Sequence, residues 1–199
     1  MGNLPIILDL DCVVADISDL MQQAFLAETG KDIPVSAWYQ YYLDEIYGVS
    51  MDALLCALVK HQVLEQAYPF AGARTTVEAL QKAFPVVMCT NRSYHPDAQA
   101  LTEQWLETHG FRPDALVVNA HTRCKAEACA AYNDRFSWIV DDHIGNINQA
   151  LSSGRVERGA LIRQPWNLNS VLREAVHEYA SLQAFHDFML TIPATAVYP

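Results

Sequence analysis

At 199 residues, with 51% of them hydrophobic, the chain suits one domain, or one domain with a sizeable insertion, and is too apolar to be disordered. A net charge of −10 argues against a general grip on nucleic-acid phosphates, which needs a basic surface, but leaves room for a small phosphorylated ligand held by local donors. No stretch approaches the roughly 20 apolar residues of a membrane span, so no membrane partner is expected. The opening Met1-Gly2-Asn3-Leu4 has neither the basic nor the apolar region of a signal peptide, and none is expected. The five cysteines (Cys12, Cys56, Cys89, Cys124, Cys129) are scattered, odd in number and without Cys-x-x-Cys spacing. They suit a reducing, cytoplasmic setting better than a disulfide framework or a thiolate metal site, and most read as small buried hydrophobes.

Taken in chain order, Pro5-Ile6-Ile7-Leu8 reads as a short central strand of a parallel sheet, with Asp9 and Asp11 leaving its end on one side. Residues 17–29 form an amphipathic helix closed by Gly30. Residues 31–68 differ in texture: they are rich in aromatics, with helical patterns over 36–46 and 50–66 and no convincing strand. The expected division is therefore a core of residues 1–16 and 69–199, with a small helical cap over 17–68. From the turn Tyr68-Pro69-Phe70-Ala71-Gly72 onwards, helices (74–83, 96–109, 125–133, 144–153) alternate with strands (85–89, 115–118, 137–140, 160–163). A long amphipathic helix over 170–190 closes the chain, with an irregular tail over 193–199. The fold class expected is α/β, a Rossmann-like parallel sheet of about five strands covered by helices on both faces.

Three strand ends carry chemistry. The first delivers Asp9 and Asp11, the second Thr90-Asn91-Arg92, and the fourth Asp141-Asp142-His143. In open α/β sheets ligands bind beyond the carboxyl ends of the strands, where strand order reverses, so these groups converge on one crevice. Oxygen ligands without a histidine or cysteine cluster suit Mg²⁺ with a phosphate. Lys125, at a helix N-terminus where its charge opposes the dipole, makes sense if it reaches an anion.

In this order the residues resemble the four motifs of the haloacid dehalogenase-like (HAD) superfamily of phosphohydrolases: Asp9-Leu10-Asp11, Thr90-Asn91, Lys125 and Asp141-Asp142. The resemblance runs from about residue 5 to residue 167. The stretches Asp9-Leu10-Asp11-Cys12-Val13-Val14-Ala15-Asp16, Pro69-Phe70-Ala71-Gly72-Ala73, Ile139-Val140-Asp141-Asp142 and Gln164-Pro165-Trp166-Asn167 are similar to the 5′(3′)-deoxyribonucleotidase type with a small helical cap. Cys12 stands where that family usually has Gly.

The resemblance implies a Mg²⁺-dependent phosphatase for nucleoside, foremost deoxynucleoside, monophosphates. Asp9 would attack phosphorus and Asp11 would serve as general acid and base. Asp9, Asp141, Asp142 and the backbone carbonyl of Asp11 would hold the metal. Thr90, Asn91 and Lys125 would hold the phosphate oxygens. Arg92, with Trp38, Tyr42 and Phe70 if they face the site, would contact the substrate, the aromatics by stacking on a base. Homodimers are common among relatives with such sheets, and the sequence shows no interface signature. Blander readings stay open at this point: strand-end turns for the first two motifs, helix capping for Asp141-Asp142, a solvated Lys125, core packing for the aromatics and a structural turn at Trp166-Asn167. A phosphatase for another small phosphoester or a nucleic-acid 3′-phosphate, or a catalytically weak binding module, are the alternative functions.

Overall fold

The computed structural model describes residues 3–191; the tail expected over 193–199 lies outside them. In chain order the chain forms β1 (Ile6–Leu8), β2 (Ala15–Asp16), α1 (Ser18–Thr29), α2 (Asp44–Tyr47), α3 (Met51–Lys60), α4 (Val63–Gln66) and β3 (Tyr68–Pro69). It continues with α5 (Ala73–Gln81), β4 (Val86–Thr90), α6 (Ala98–Thr108), β5 (Ala115–Val118), α7 (Lys125–Ala128) and β6 (Phe136–Asp141). The last elements are α8 (Ile144–Ser152), β7 (Val156–Ile162), β8 (Val176–Tyr179) and α9 (Leu182–Thr191).

Six strands form one parallel sheet in the order β5-β4-β1-β6-β7-β8, and β2 and β3 form a separate two-residue antiparallel pair. β1, β4 and β6 are buried at every residue, which is why they read as unbroken apolar runs. Ile6 and Leu8 join one core layer with Val86, Met88, Trp138 and Val140; Ile7 joins the other with Val87, Cys89 and Ile139. The period of two thus divides the core between the two faces of the sheet. The chain builds outward from β1 to β4 and β5, then returns to β6 on the other side of β1. Strand order therefore reverses at β1, and the carboxyl end of that strand opens into the crevice where ligands bind in such sheets.

Four sequence expectations are corrected. The sheet, expected at about five strands, has six, and the helix expected over 170–190 begins only at Leu182. Ahead of it, Val176–Tyr179 pair with β7 as an edge strand. The helix expected over 36–46 is a 3-10 turn at Val35–Ala37, an irregular aromatic stretch and then α2. The helix expected over 50–66 breaks at Gln62, whose φ of 53° cannot continue a right-handed helix. The helix expected over 125–133 is α7 followed by a 3-10 turn at Cys129–Ala131. All five cysteines are free. Among the described residues no helix is long and apolar enough to cross a membrane.

Candidate active site

Beyond β1 the chain turns back tightly. The Leu10 carbonyl accepts the N–H groups of Val14 and Ala15, and the Cys12 N–H donates to the Ala15 carbonyl. The turn requires a left-handed residue, and Cys12 takes that role with φ 61°. Outside glycine this conformation costs about 1–2 kcal/mol. The Cys12 thiol is buried, and burial first, then Asp142, pushes its pKa well above the usual range, so it stays protonated.

At the centre of the sheet the side chains of Asp9, Asp141 and Asp142 meet. Each is buried, and each presents a carboxylate oxygen within 4.8 Å of the others. Lys125 reaches in from the start of α7, its Nζ 2.8 Å from Asp9 Oδ1 and 2.7 Å from Asp141 Oδ2. It is 1% exposed, so the reading of a solvated lysine falls away. Asp141 is further held by the His143 backbone N–H (2.8 Å) and by Asn146 Nδ2 (3.1 Å). Three buried carboxylates facing one ammonium leave negative charge uncompensated. Burial first, and Asp141 second, push Asp9 up to about 7; burial, then Asp141 and Asp9, raise Asp142 as well. Such a set fits a hard divalent cation, which would compensate the charge and use oxygen donors of this kind.

Asp11 is placed differently. Its carboxylate receives Arg92 Nε at 2.8 Å on Oδ2 and Arg92 Nη2 at 2.5 Å on Oδ1, with Thr90 Oγ1 at 3.2 Å. Its carboxylate is taken up by these donors and is not part of the cluster of Asp9, Asp141 and Asp142. Arg92 is wholly buried, and its third contact is Thr102 Oγ1 at 3.2 Å. The expected contact between Arg92 and substrate is therefore corrected: its fork is occupied by Asp11, and it does not line the pocket. Asn91 Oδ1 accepts from Asn119 Nδ2, which orients the loop after β4.

A pocket of about 220 Å³ opens over these groups. Its floor is Asp9, Asp11, Thr90, Asn91 and Asp142; its walls are apolar residues of α1 and α3, among them Phe25 and Leu54, with Trp38 and Tyr42 from the intervening segment. Phe70 packs against the hydrophobic core instead and does not line the pocket, so its expected contact with a base is corrected too.

The structure brings here Asn146, which the sequence reading passed over, and gives contacts to His143 and Trp166, which that reading placed at a strand end and in a turn without partners. His143 stacks on Tyr41 with ring centroids 3.7 Å apart. Trp166 Nε1 donates to Asp142 Oδ2 at 2.8 Å. Asn146 stands one helical turn beyond the Asp141-Asp142 pair, and its spacing is a readable signal, since a polar residue there faces back to the strand end.

No family model matches the chain, and no curated protein matches it. Solved structures do. A predicted phosphatase from Clostridium acetobutylicum superposes with a TM-score of 0.67 at 15% identity, over 96% of this chain and all of the other. A HAD-hydrolase from Bacillus subtilis bound to magnesium gives 0.60 at 13%, over 96% of this chain and 100% of that one. An L-2-haloacid dehalogenase from Xanthobacter autotrophicus gives 0.61 at 9%, again over 96% and 100%. At these identities the likeness is one of fold, the α/β architecture shared by HAD-like hydrolases of differing chemistry.

Proposed function

We propose that the chain is a Mg²⁺-dependent phosphatase that hydrolyses nucleoside monophosphates, deoxynucleotides foremost, through an aspartyl-phosphate on Asp9. The observation that carries this reading is the cluster of Asp9, Asp141 and Asp142 around Lys125 at the reversal point of the sheet. In the mechanism, Asp9 attacks phosphorus while the leaving alcohol takes a proton from Asp11, which must take up that proton in place of one of its hydrogen bonds from Arg92. A water deprotonated by Asp11 then attacks the aspartyl-phosphate, releasing inorganic phosphate and restoring Asp9. Thr90, the Asn91 backbone N–H and Lys125 supply donors for the equatorial oxygens. Mg²⁺, held by Asp9, Asp141, Asp142 and the Asp11 carbonyl, would let an anionic nucleophile approach an anionic phosphate. The segment over 17–68 serves as the cap, whose walls exclude stray water and offer Trp38 and Tyr42 to a base.

The pocket also bears on the dehalogenase chemistry of some structural neighbours. A 2-haloacid carries a carboxylate that needs a cationic partner besides Lys125, which already faces Asp9 and Asp141, and among the described residues that line the pocket there is no lysine or arginine to supply one. Attack on a carbon–halogen bond would use Asp9 and calls for no metal, which would leave Asp141 and Asp142 without an ion to hold. The same shortage of cations favours substrates whose only anion is the reacting phosphate, and disfavours a polynucleotide end.

The test is release of inorganic phosphate from 5′- and 3′-nucleotides and sugar phosphates, and of halide from 2-haloacids, in the presence of Mg²⁺. Nucleotides should rank first, and Asp9→Asn should lower turnover by about 10⁴-fold or more while nucleotide binding survives. Turnover of sugar phosphates alone would remove the nucleotide assignment. Halide release without phosphate release would overturn the phosphatase, and tight nucleotide binding without turnover would favour the binding module.

A further inference from the structure

The turn after β7 stitches together parts of the site that lie far apart in sequence. Gln164 Nε2 donates to the Cys12 carbonyl at 2.8 Å, which fixes the loop that follows Asp11. Asn167 Nδ2 donates to the backbone carbonyls of Asp142 and Ile162, both at 2.8 Å. Trp166 donates its indole N–H to Asp142 Oδ2 at 2.8 Å, and its ring lies 5.9 Å from that of Trp38. Trp38 belongs to the segment between α1 and α2, is 1% exposed and lines the pocket.

An indole offers a single hydrogen, in a direction fixed by the plane of its ring. A carboxylate oxygen engaged by that hydrogen is restricted in its rotation, and with it the direction of the second oxygen. We infer that Trp166 is a positioning residue: its N–H aims Asp142 at a divalent cation, and its contact with Trp38 makes that aim depend on where the helical segment over the pocket sits. The inference rests on the ion-binding reading proposed above. Partners that orient metal ligands are commonly worth about 10–100-fold in metal affinity. Coupling of this kind is reciprocal, so a cation that orders Asp142 also favours the seated position of Trp38.

A purely structural tryptophan would need a partner for its N–H just as much, so stability alone does not discriminate. Calorimetric titration of the full chain with Mg²⁺ does. Trp166→Phe keeps the ring and loses the donor; it should weaken Mg²⁺ binding by about 10–100-fold with the far-ultraviolet circular dichroism unchanged. In an Asp142→Ala background the same change should cost nothing more, because the group it acts through is gone. Trp38→Leu, which removes no donor to a carboxylate, should weaken Mg²⁺ binding in the wild-type background and add little to Trp166→Phe. Unaltered Mg²⁺ affinity in a folded Trp166→Phe protein, or full additivity with Asp142→Ala, would overturn the inference. If Trp166→Phe lost its native spectrum, Trp38→Leu would decide by itself, unaltered affinity there ending the coupling to the pocket wall. A wild-type protein that binds no Mg²⁺ would fail at the earlier step, overturning the ion reading itself.

Discussion

Arg92 carries its charge to a position without solvent, and both arms of its fork meet the Asp11 carboxylate. Removing one partner of a buried ion pair strands the other and costs about 3–5 kcal/mol. The Asp11 side chain keeps 21% exposure, which lets water screen it and places the expected cost of Arg92→Ala near the lower end, about 3 kcal/mol. Arg92→Lys should recover less than half, because a point charge cannot form two parallel hydrogen bonds. Urea unfolding of the three proteins measures both. The pairing also marks what the residues alone disclose. Asp9, Asp11 and Asp141 were legible because each follows an apolar run, and strand geometry dictates where the next side chains go. The partner of Arg92 was not legible, since it lies 81 residues away and nothing in Thr90-Asn91-Arg92 encodes which way the guanidinium turns. The partner of Trp166 hides for the same reason: its hydrogen bond spans 24 residues, with α8 and β7 between.

At the level of elements, the central strands were legible and the edge was not. β1, β4 and β6 are apolar throughout, whereas β8 has buried Val176 followed by exposed His177 and Glu178. Those four residues sit in a stretch whose apolar spacing also suits a helix. Only pairing with β7 selects the extended form, and such pairing is a tertiary event. β7 itself depends on Gly159, which lies between α8 and β8. A Cβ there would fall 2.3 Å from Ile147 Cγ2 and 3.3 Å from Val176 Cγ2. Gly159→Ala should therefore push α8 outward, at a cost of about 1–3 kcal/mol for overpacking. α8 begins two residues after Asp142, so the displacement should reach the carboxylates as well as the core. The expected outcome is a lower melting temperature together with weaker Mg²⁺ binding. A loss of stability with Mg²⁺ affinity intact would show that the strand end is insulated from the helix.

For the molecule as a whole, the buried acids would make folding and the proposed cation binding one equilibrium. Asp9 is raised from 3.8 to about 7, chiefly by burial. Between about pH 4 and pH 7 the folded chain therefore keeps a proton that the unfolded chain has released, so this group's contribution to stability falls as pH rises through that window and stays low above it. Asp142 is raised by the same causes and acts in the same direction. A cation binds the ionised form and competes with that proton, so Mg²⁺ should stabilise the protein more above the window than within it. Thermal unfolding of metal-free protein at about pH 5.5 and about pH 8, with and without Mg²⁺, tests this directly. The increment from Mg²⁺ should be larger at the higher pH, and Asp9→Asn, which cannot ionise, should flatten the difference. An increment independent of pH in the wild type would mean that the ion, if it binds, does not engage Asp9 or Asp142.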